Sequence, residues 1–444
     1  MAVLCGLVVI GVVTTVAVVV ALRSATSSAD SGARADPVAP SVSSSTTRST
    51  VAPTTTAAPP VCDRRPQLDA RGAEISPEWA SRIRAAVDDP SWGDVQRSIS
   101  VWVEGHGEIV AVEPDLALLP ASNEKVLTAL GARLLLDPAA RFRTEVRLAG
   151  AHLVLIADGD PTLRSRGPHS LAALAQQVRA AGVSQVAGVR VDASRFESAT
   201  TARGWQDWQV PTYVGPMSAL VVDDNRGRTD AAYLADPTLG NGEAFAAALR
   251  AVGVRVAGPV SHGSADAAAS VVAGLDSPTF AELSHDMLLG SDNEIAESLV
   301  RQIGGGTTDA GTARITEALA PWCLHLTGDA ADGSGLSRED RRSAREWRRL
   351  LQVALERPWA SQVWAGLPVA GRTGTLSGRL AGPATNGNVM AKTGTIIGGS
   401  ALSGYATTPD GRQVVFSVLV NGEPASAART VGAIDRLVTA VVAG

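Results

Sequence analysis

The order of apolar and polar positions divides the chain into stretches of different character. Residues 2–22 form a 21-residue apolar run without a charge, long enough to cross a bilayer. Residues 24–60 are rich in Ser, Thr, Ala and Pro, show no period and read as an extended tether. Regular periods begin near residue 75. Residues 78–88 carry a helical pattern, 98–104 alternate as a strand does, and 108–112 return after Gly105-His106-Gly107, which predicts a hairpin. Val126, Leu127, Leu130 and Leu134 recur at helical spacing. Leu119-Pro120 is poor helix interior, so that helix is expected to begin at Ser122.

The stretch 140–275 has another texture. Residues 144–148, 153–156 and 186–191 predict strands, 169–181 and 243–252 predict helices, and 220–222 and 254–256 are short apolar runs. This block is expected to be an inserted α/β subdomain. Helical patterns at 280–289 and 294–303 then flank the polar break Ser291-Asp292-Asn293. A helix expected from Ser337 bears Arg338, Arg341, Arg342, Arg345, Arg348 and Arg349, the pattern of a solvated face. Strands at 400–406 and 413–420, joined by Pro409-Asp410-Gly411, and a helix at 425–442 close the chain. The division that follows is 1–22, a signal peptide or membrane anchor; 23–61, a linker; 62–139 with 276–444, a catalytic domain; and 140–275, the insert.

Composition narrows the function. Hydrophobic residues make up 45%, enough for a sizeable core. A net charge of −5 and the lack of basic–aromatic alternation exclude a nucleic-acid partner. The only expected membrane contact is through the N-terminal run, which places the folded part outside the cytoplasm, anchored or secreted to the cell wall. There is no C-x-x-C, and the six histidines are scattered, so no metal or other cofactor is expected. Cys5 lies in the apolar run. Cys62 and Cys323 remain in the exported part, where a bridge between them would persist.

The chain has 39 basic residues, and only Lys125 and Lys392 are lysines. Arginine serves for surface charge but cannot act as a neutral base, whereas a buried lysine can. Lys125 follows Ser122 by three residues, which puts both on one face of a helical turn. That pairs a hydroxyl nucleophile with an amine base. Lys392-Thr393-Gly394-Thr395 precedes a strand, and its glycine lets a ligand approach the backbone. Arg372-Thr373-Gly374-Thr375 is a near-copy without the lysine and reads as structural.

The order S-x-x-K, S-D-N, K-T-G resembles that of the penicillin-recognising serine hydrolases. Within them the chain is most similar to the D-alanyl-D-alanine carboxypeptidase/endopeptidases with a large insert between the first two motifs. The strings Leu119-Pro-Ala-Ser-Asn-Glu-Lys125, Gly159-Asp-Pro-Thr-Leu163, Asp332-Gly-Ser-Gly-Leu-Ser-Arg338, Gly374-Thr-Leu376 and Leu402-Ser-Gly-Tyr405 share the likeness. The resemblance implies an α/β (α+β) fold of the β-lactamase/transpeptidase type, with a five-stranded antiparallel sheet, flanking helices, an all-helical region and the inserted subdomain. It implies a substrate, the peptidoglycan stem peptide ending in D-Ala-D-Ala, and β-lactams as inhibitors. It assigns Ser122 as nucleophile, Lys125 as base, aided by the Lys392 cation, and Ser291 as proton relay. Asn293 would hold the substrate amide, and Lys392, Thr393, Gly394 and Thr395 would bind the terminal carboxylate and complete the oxyanion hole. Asp160 and Arg338 are expected to touch the peptide stem. Endopeptidase activity stays open. A β-lactamase shares the motifs, but no E-x-x-x-N segment follows Ser291 convincingly. A non-catalytic wall scaffold and a G-x-S-x-G hydrolase fit the residues less well.

Overall fold

The computed structural model describes residues 72–225, 234–322, 324, 326–423 and 427–444. The expected export segment, the tether and the Cys62–Cys323 pair lie outside the described residues. Among the described residues no helix is long and apolar enough to cross a membrane.

The described chain opens with α1 (Pro77–Val87), whose N-cap Ser76 accepts from the Trp79 N–H and whose first residue is proline. A hairpin follows, β1 (Gln96–Val103) and β2 (Gly107–Val112). Then comes α2 (Glu124–Leu135), buried without interruption from Glu124 to Ala132. A helix enclosed on all sides belongs in an interior. The helix starts two residues later than expected, because 121–123 form a separate 3₁₀ turn.

The stretch 141–279 builds its own sheet. Its strands are β3 (Arg141–Ala149), β4 (His152–Ile156), β6 (Gly188–Asp192), β8 (Val260–His262) and β9 (Ser270–Thr279), in the order β8-β6-β4-β3-β9. β4, β6 and β8 run parallel, and β3 pairs antiparallel with β4 and β9. A short parallel pair, β5 (Gln185–Val186) with β7 (Arg255–Val256), stands beside it. Parallel strands need crossovers. These are α3 (Leu171–Ala180) and a longer path that carries α4 (Gln209–Tyr213) and α5 (Pro237–Ala251).

After this sheet, α6 (Phe280–Gly290), α7 (Asn293–Ile303) and α8 (Thr308–Leu319) pack around α2 as the all-helical region. Next, α9 (Ala344–Leu355) lies against β1 and the later strand Gln413–Asn421. β10 (Met390–Ile396), β11 (Gly399–Thr407) and β12 (Gln413–Asn421) then join the first hairpin as an antiparallel sheet, ordered β10-β11-β12-β1-β2. The last helix, α10 (Ala427–Val442), packs on α1 and β11. Helices cover both faces of this sheet. Val414, Phe416, Val418 and Val420 enter one core and Val415 and Leu419 the other, so β12 reads as a continuous apolar run.

The arginine-rich stretch departs from expectation. The helix begins at Ala344, behind a capping box of Ser343 and Glu346. Arg342 and Arg348 are fully buried. Arg348 donates to Ser100 Oγ at 2.8 Å, and Arg342 pairs with Glu124 Oε1 at 3.0 Å. Burial pushes the Glu124 carboxyl up to about 7, against the pull of Arg342. Removing one partner of a buried pair leaves the other charge uncompensated. Arg342→Met is therefore expected to cost about 3–5 kcal/mol at pH 8 by urea unfolding. A loss of under about 1 kcal/mol would mean that Glu124 simply takes up a proton.

Candidate active site

Ser122 sits in the 3₁₀ turn Ala121–Asn123, immediately before α2. Ala121 adopts a left-handed conformation (φ +48°), uncommon for a residue with a side chain. Neighbouring groups hold the turn there. Asn421 Oδ1 accepts from the Leu119 N–H at 2.9 Å. Asn123 Nδ2 donates to Ser403 Oγ at 2.8 Å, and Ser403 and Ser417 hydroxyls lie 2.8 Å apart. From the other side, a Cβ on Gly335 would fall 1.8 Å from the Ala121 carbonyl oxygen. Only glycine fits at this point of the Asp332-Gly-Ser-Gly loop.

Lys125 Nζ stands 3.0 Å from Ser122 Oγ, 2.6 Å from Asn293 Oδ1 and 2.6 Å from the Ser334 carbonyl oxygen. Two firm acceptors plus one hydroxyl suit a neutral amine. As an ammonium Lys125 donates to all three; once it loses a proton, its two remaining N–H groups can stay on Asn293 and the Ser334 carbonyl, which leaves the lone pair for the Ser122 O–H. Burial lowers Lys125 to about 8, against the opposing pull of Asp332, Glu297, Asp292 and Glu294. The expected help from Lys392 is not the cause. Lys392 is itself held well below its usual value, by burial and by the Lys125 charge.

Asp292 caps α7 with its side chain, and Ser291 ends α6 in the left-handed conformation (φ 63°). That reversal aims Ser291 and Asn293 at two different lysines. Lys392 Nζ donates to Ser291 Oγ at 2.9 Å. Asn293 Nδ2 donates to the Tyr213 carbonyl at 2.8 Å, so both ends of the amide already have partners.

The K-T-G strand β10 is the edge of its sheet and lies against the nucleophile turn. A Cβ on Gly394 would come within 3.0 Å of the Pro120 carbonyl oxygen. The Ala391 N–H donates outward to Pro368 at 3.0 Å. Since successive peptide groups alternate, the N–H groups of Thr393 and Thr395 point to the same outer edge. No backbone partner occupies that edge beyond Ala391 among the described residues. Thr393 is buried and Thr395 exposed.

The two expected stem contacts separate. Arg338 is half-buried and donates to the Ile397 carbonyl at 2.7 Å, at the turn after β10. Asp160 makes no side-chain hydrogen bond to Ser122, Lys125, Asn293 or Lys392 among the described residues. Its side chain is 1% exposed, and its oxygens take the Thr162 N–H and hydroxyl and His169 Nε2 at 2.8, 2.7 and 2.6 Å. It braces its own loop and presents no oxygen to a ligand.

Several neighbours of the site escaped the sequence reading. Asp332 accepts from the N–H groups of Ser334, Gly335 and Ser337 and from Trp205 Nε1 at 3.1, 2.6, 2.8 and 2.7 Å, and so shapes the loop that receives Lys125. Gln209 Nε2 donates to the Leu336 carbonyl at 2.8 Å, and the Gly215 N–H to Glu294 at 3.1 Å. Segment 205–215 therefore straps onto the S-D-N turn. The clustering of Trp205, Trp208 and Tyr213 in a chain with 4% aromatic residues was its available signal. Among the described residues no cluster of His, Cys, Asp and Glu could hold a metal ion.

A sheet-edge K-T-G strand beside a serine–lysine pair defines the class of serine peptidases that work from a helix start. A family profile described as "D-Ala-D-Ala carboxypeptidase 3 (S13) family" matches residues 80–235 and 227–441. The D-alanyl-D-alanine carboxypeptidase of Actinomadura sp. is 32% identical across 80% of this chain and 82% of that one. A carboxypeptidase of Mycobacterium tuberculosis is 31% identical, with the same coverage of both chains. In fold, the chain is similar to penicillin binding protein 4 of Haemophilus influenzae. The TM-score is 0.69 at 21% identity, over 77% of this chain and 93% of that chain. The chain belongs to the D-Ala-D-Ala carboxypeptidase 3 (S13) family.

Proposed function

We propose that this protein is a serine-type D-alanyl-D-alanine carboxypeptidase that trims peptidoglycan stem peptides outside the cytoplasm and is acylated by β-lactams. The observation that carries this reading is the buried Lys125 amine, held between Ser122 Oγ, Asn293 Oδ1 and the Ser334 carbonyl. In the proposed reaction Ser122 Oγ attacks the penultimate D-Ala carbonyl as Lys125 takes its proton. The N–H groups of Ser122 and Thr395 receive the oxyanion, where losing one donor typically costs about 3–4 kcal/mol. Collapse breaks the peptide bond, and the leaving amine is protonated through Ser291. Water then hydrolyses the ester. Lys392 and Thr393 take the terminal carboxylate, whose negative charge favours the ammonium form of Lys392. Asn293 meets the substrate amide through the second Nδ2 proton or the second Oδ1 lone pair, which its bonds to Tyr213 and Lys125 leave unused. Arg338 remains a stem contact in this reading; Asp160 does not.

We further take 62–139 with 276–444 as the catalytic domain and 140–275 as the inserted subdomain, a division supported by the separate sheet over 141–279. Residues 1–22 serve in this reading as an export signal or membrane anchor, and 23–61 as the tether.

The test is the intact mass of residues 62–444 over time after adding penicillin. A long-lived adduct on Ser122 is expected. An adduct that vanishes within seconds while penicillin is consumed indicates a β-lactamase, and no adduct indicates a scaffold. The same assay gives a pH dependence. Lys125 acts only when deprotonated, and its value is about 8. The second-order acylation rate is expected to rise about tenfold per pH unit from pH 6 and to level off above about 8. A rate that is flat across that range would remove Lys125 as the base.

A further inference from the structure

The near-copy motif Arg372–Thr375 lies at the carboxylate side of the site. Its loop springs from the outer edge of β10, through Ala391 N–H to Pro368 and Ala370 N–H to Val389, at 3.0 and 2.9 Å. The loop then turns under α6. Gly374 has φ +55°, and a Cβ there would lie 2.4 Å from the Leu289 carbonyl oxygen, two residues before Ser291. Directly after Gly374 stands Thr375, exposed, with Oγ1 2.6 Å from Thr393 Oγ1. Neither hydroxyl has another hydrogen-bonding partner among the described residues.

A hydroxyl has one proton and two lone pairs. If Thr393 donates to Thr375, it has nothing left to give a carboxylate. If Thr375 donates to Thr393, the Thr393 proton is free to point into the cleft, and accepting a hydrogen bond makes it a stronger donor. An anionic ligand selects the second arrangement. We propose that Thr375 is a positioning residue that donates to Thr393 Oγ1 and so directs the Thr393 proton onto the terminal carboxylate of the substrate. This rests on the carboxypeptidase reading and extends it to a loop outside the three motifs. The near-copy thus serves the K-T-G strand without needing a lysine of its own.

The test uses the full chain as wild type, Thr375→Val and Thr375→Ser. Each is assayed on a peptide ending in D-Ala-D-Ala, and on a thioester of the same acyl group whose leaving group carries no carboxylate. Hydrogen bonds to charged groups set the scale. For Thr375→Val, kcat/KM on the peptide is expected to fall about tenfold, mainly through KM. Its thioester rate should stay within about twofold of wild type, and Thr375→Ser should restore the peptide rate. A valine variant that loses both substrates alike, or neither, while the wild type is active, overturns the positioning role alone. A wild type that neither cleaves the peptide nor forms a penicillin adduct overturns the function and the inference together.

Discussion

Ser122→Ala is expected to abolish penicillin acylation and to lower peptide hydrolysis by on the order of 10⁵- to 10⁶-fold, the range seen when a serine nucleophile is deleted. The fold should survive. Among the described residues Ser122 Oγ has one side-chain partner, Lys125, which keeps Asn293 and the Ser334 carbonyl when the hydroxyl goes. The turn itself is held by Asn123 and Asn421. Intact mass after penicillin, with a thermal melt as control, decides the matter. A well-folded alanine variant that still gains the adduct would move the nucleophile elsewhere, with Ser291 the first residue to map.

Lys125→Arg should also be strongly damaging, although it keeps the positive charge. A guanidinium cannot lose its proton at ordinary pH, so the lone pair that faces Ser122 disappears. The site is fully buried, and a planar five-donor group cannot reproduce three contacts made by one nitrogen. Acylation is expected to fall by on the order of 10³-fold, the typical worth of a positioned general base. Raising the pH to 9 should not recover it. If the arginine variant acylates at the wild-type rate, a neutral amine is not what activates Ser122. Measuring this variant beside Ser122→Ala separates loss of the base from loss of the nucleophile. Residual slow acylation is expected in the first and none in the second.

The readings that came out of the sequence intact are the local ones. Ser122 and Lys125 are three residues apart, and helical geometry by itself brings such a pair within reach. The hairpin around Gly105-His106-Gly107 and the strands on either side of Pro409-Asp410-Gly411 follow from period-two alternation and turn residues. The scarcity of lysine marked Lys125 and Lys392 before any geometry was known, because a titratable amine is a chemical property that arginine lacks.

What the sequence could not supply is anything that depends on which distant segments become neighbours. Arg342 and Arg348 looked solvated because charge along one stretch says nothing about what packs on it; Glu124 and Ser100 lie far away in sequence. Asp160 sits in a string associated with the motifs, yet its carboxylate is consumed by Thr162 and His169. Thr375 was passed over because its motif lacks lysine, and its value comes entirely from the 2.6 Å approach of Thr393. The lowered Lys125 value is likewise a product of burial. Local periodicity determines which side chains a turn or strand displays. Only tertiary packing decides what they meet, how dry they are and therefore which proton they hold.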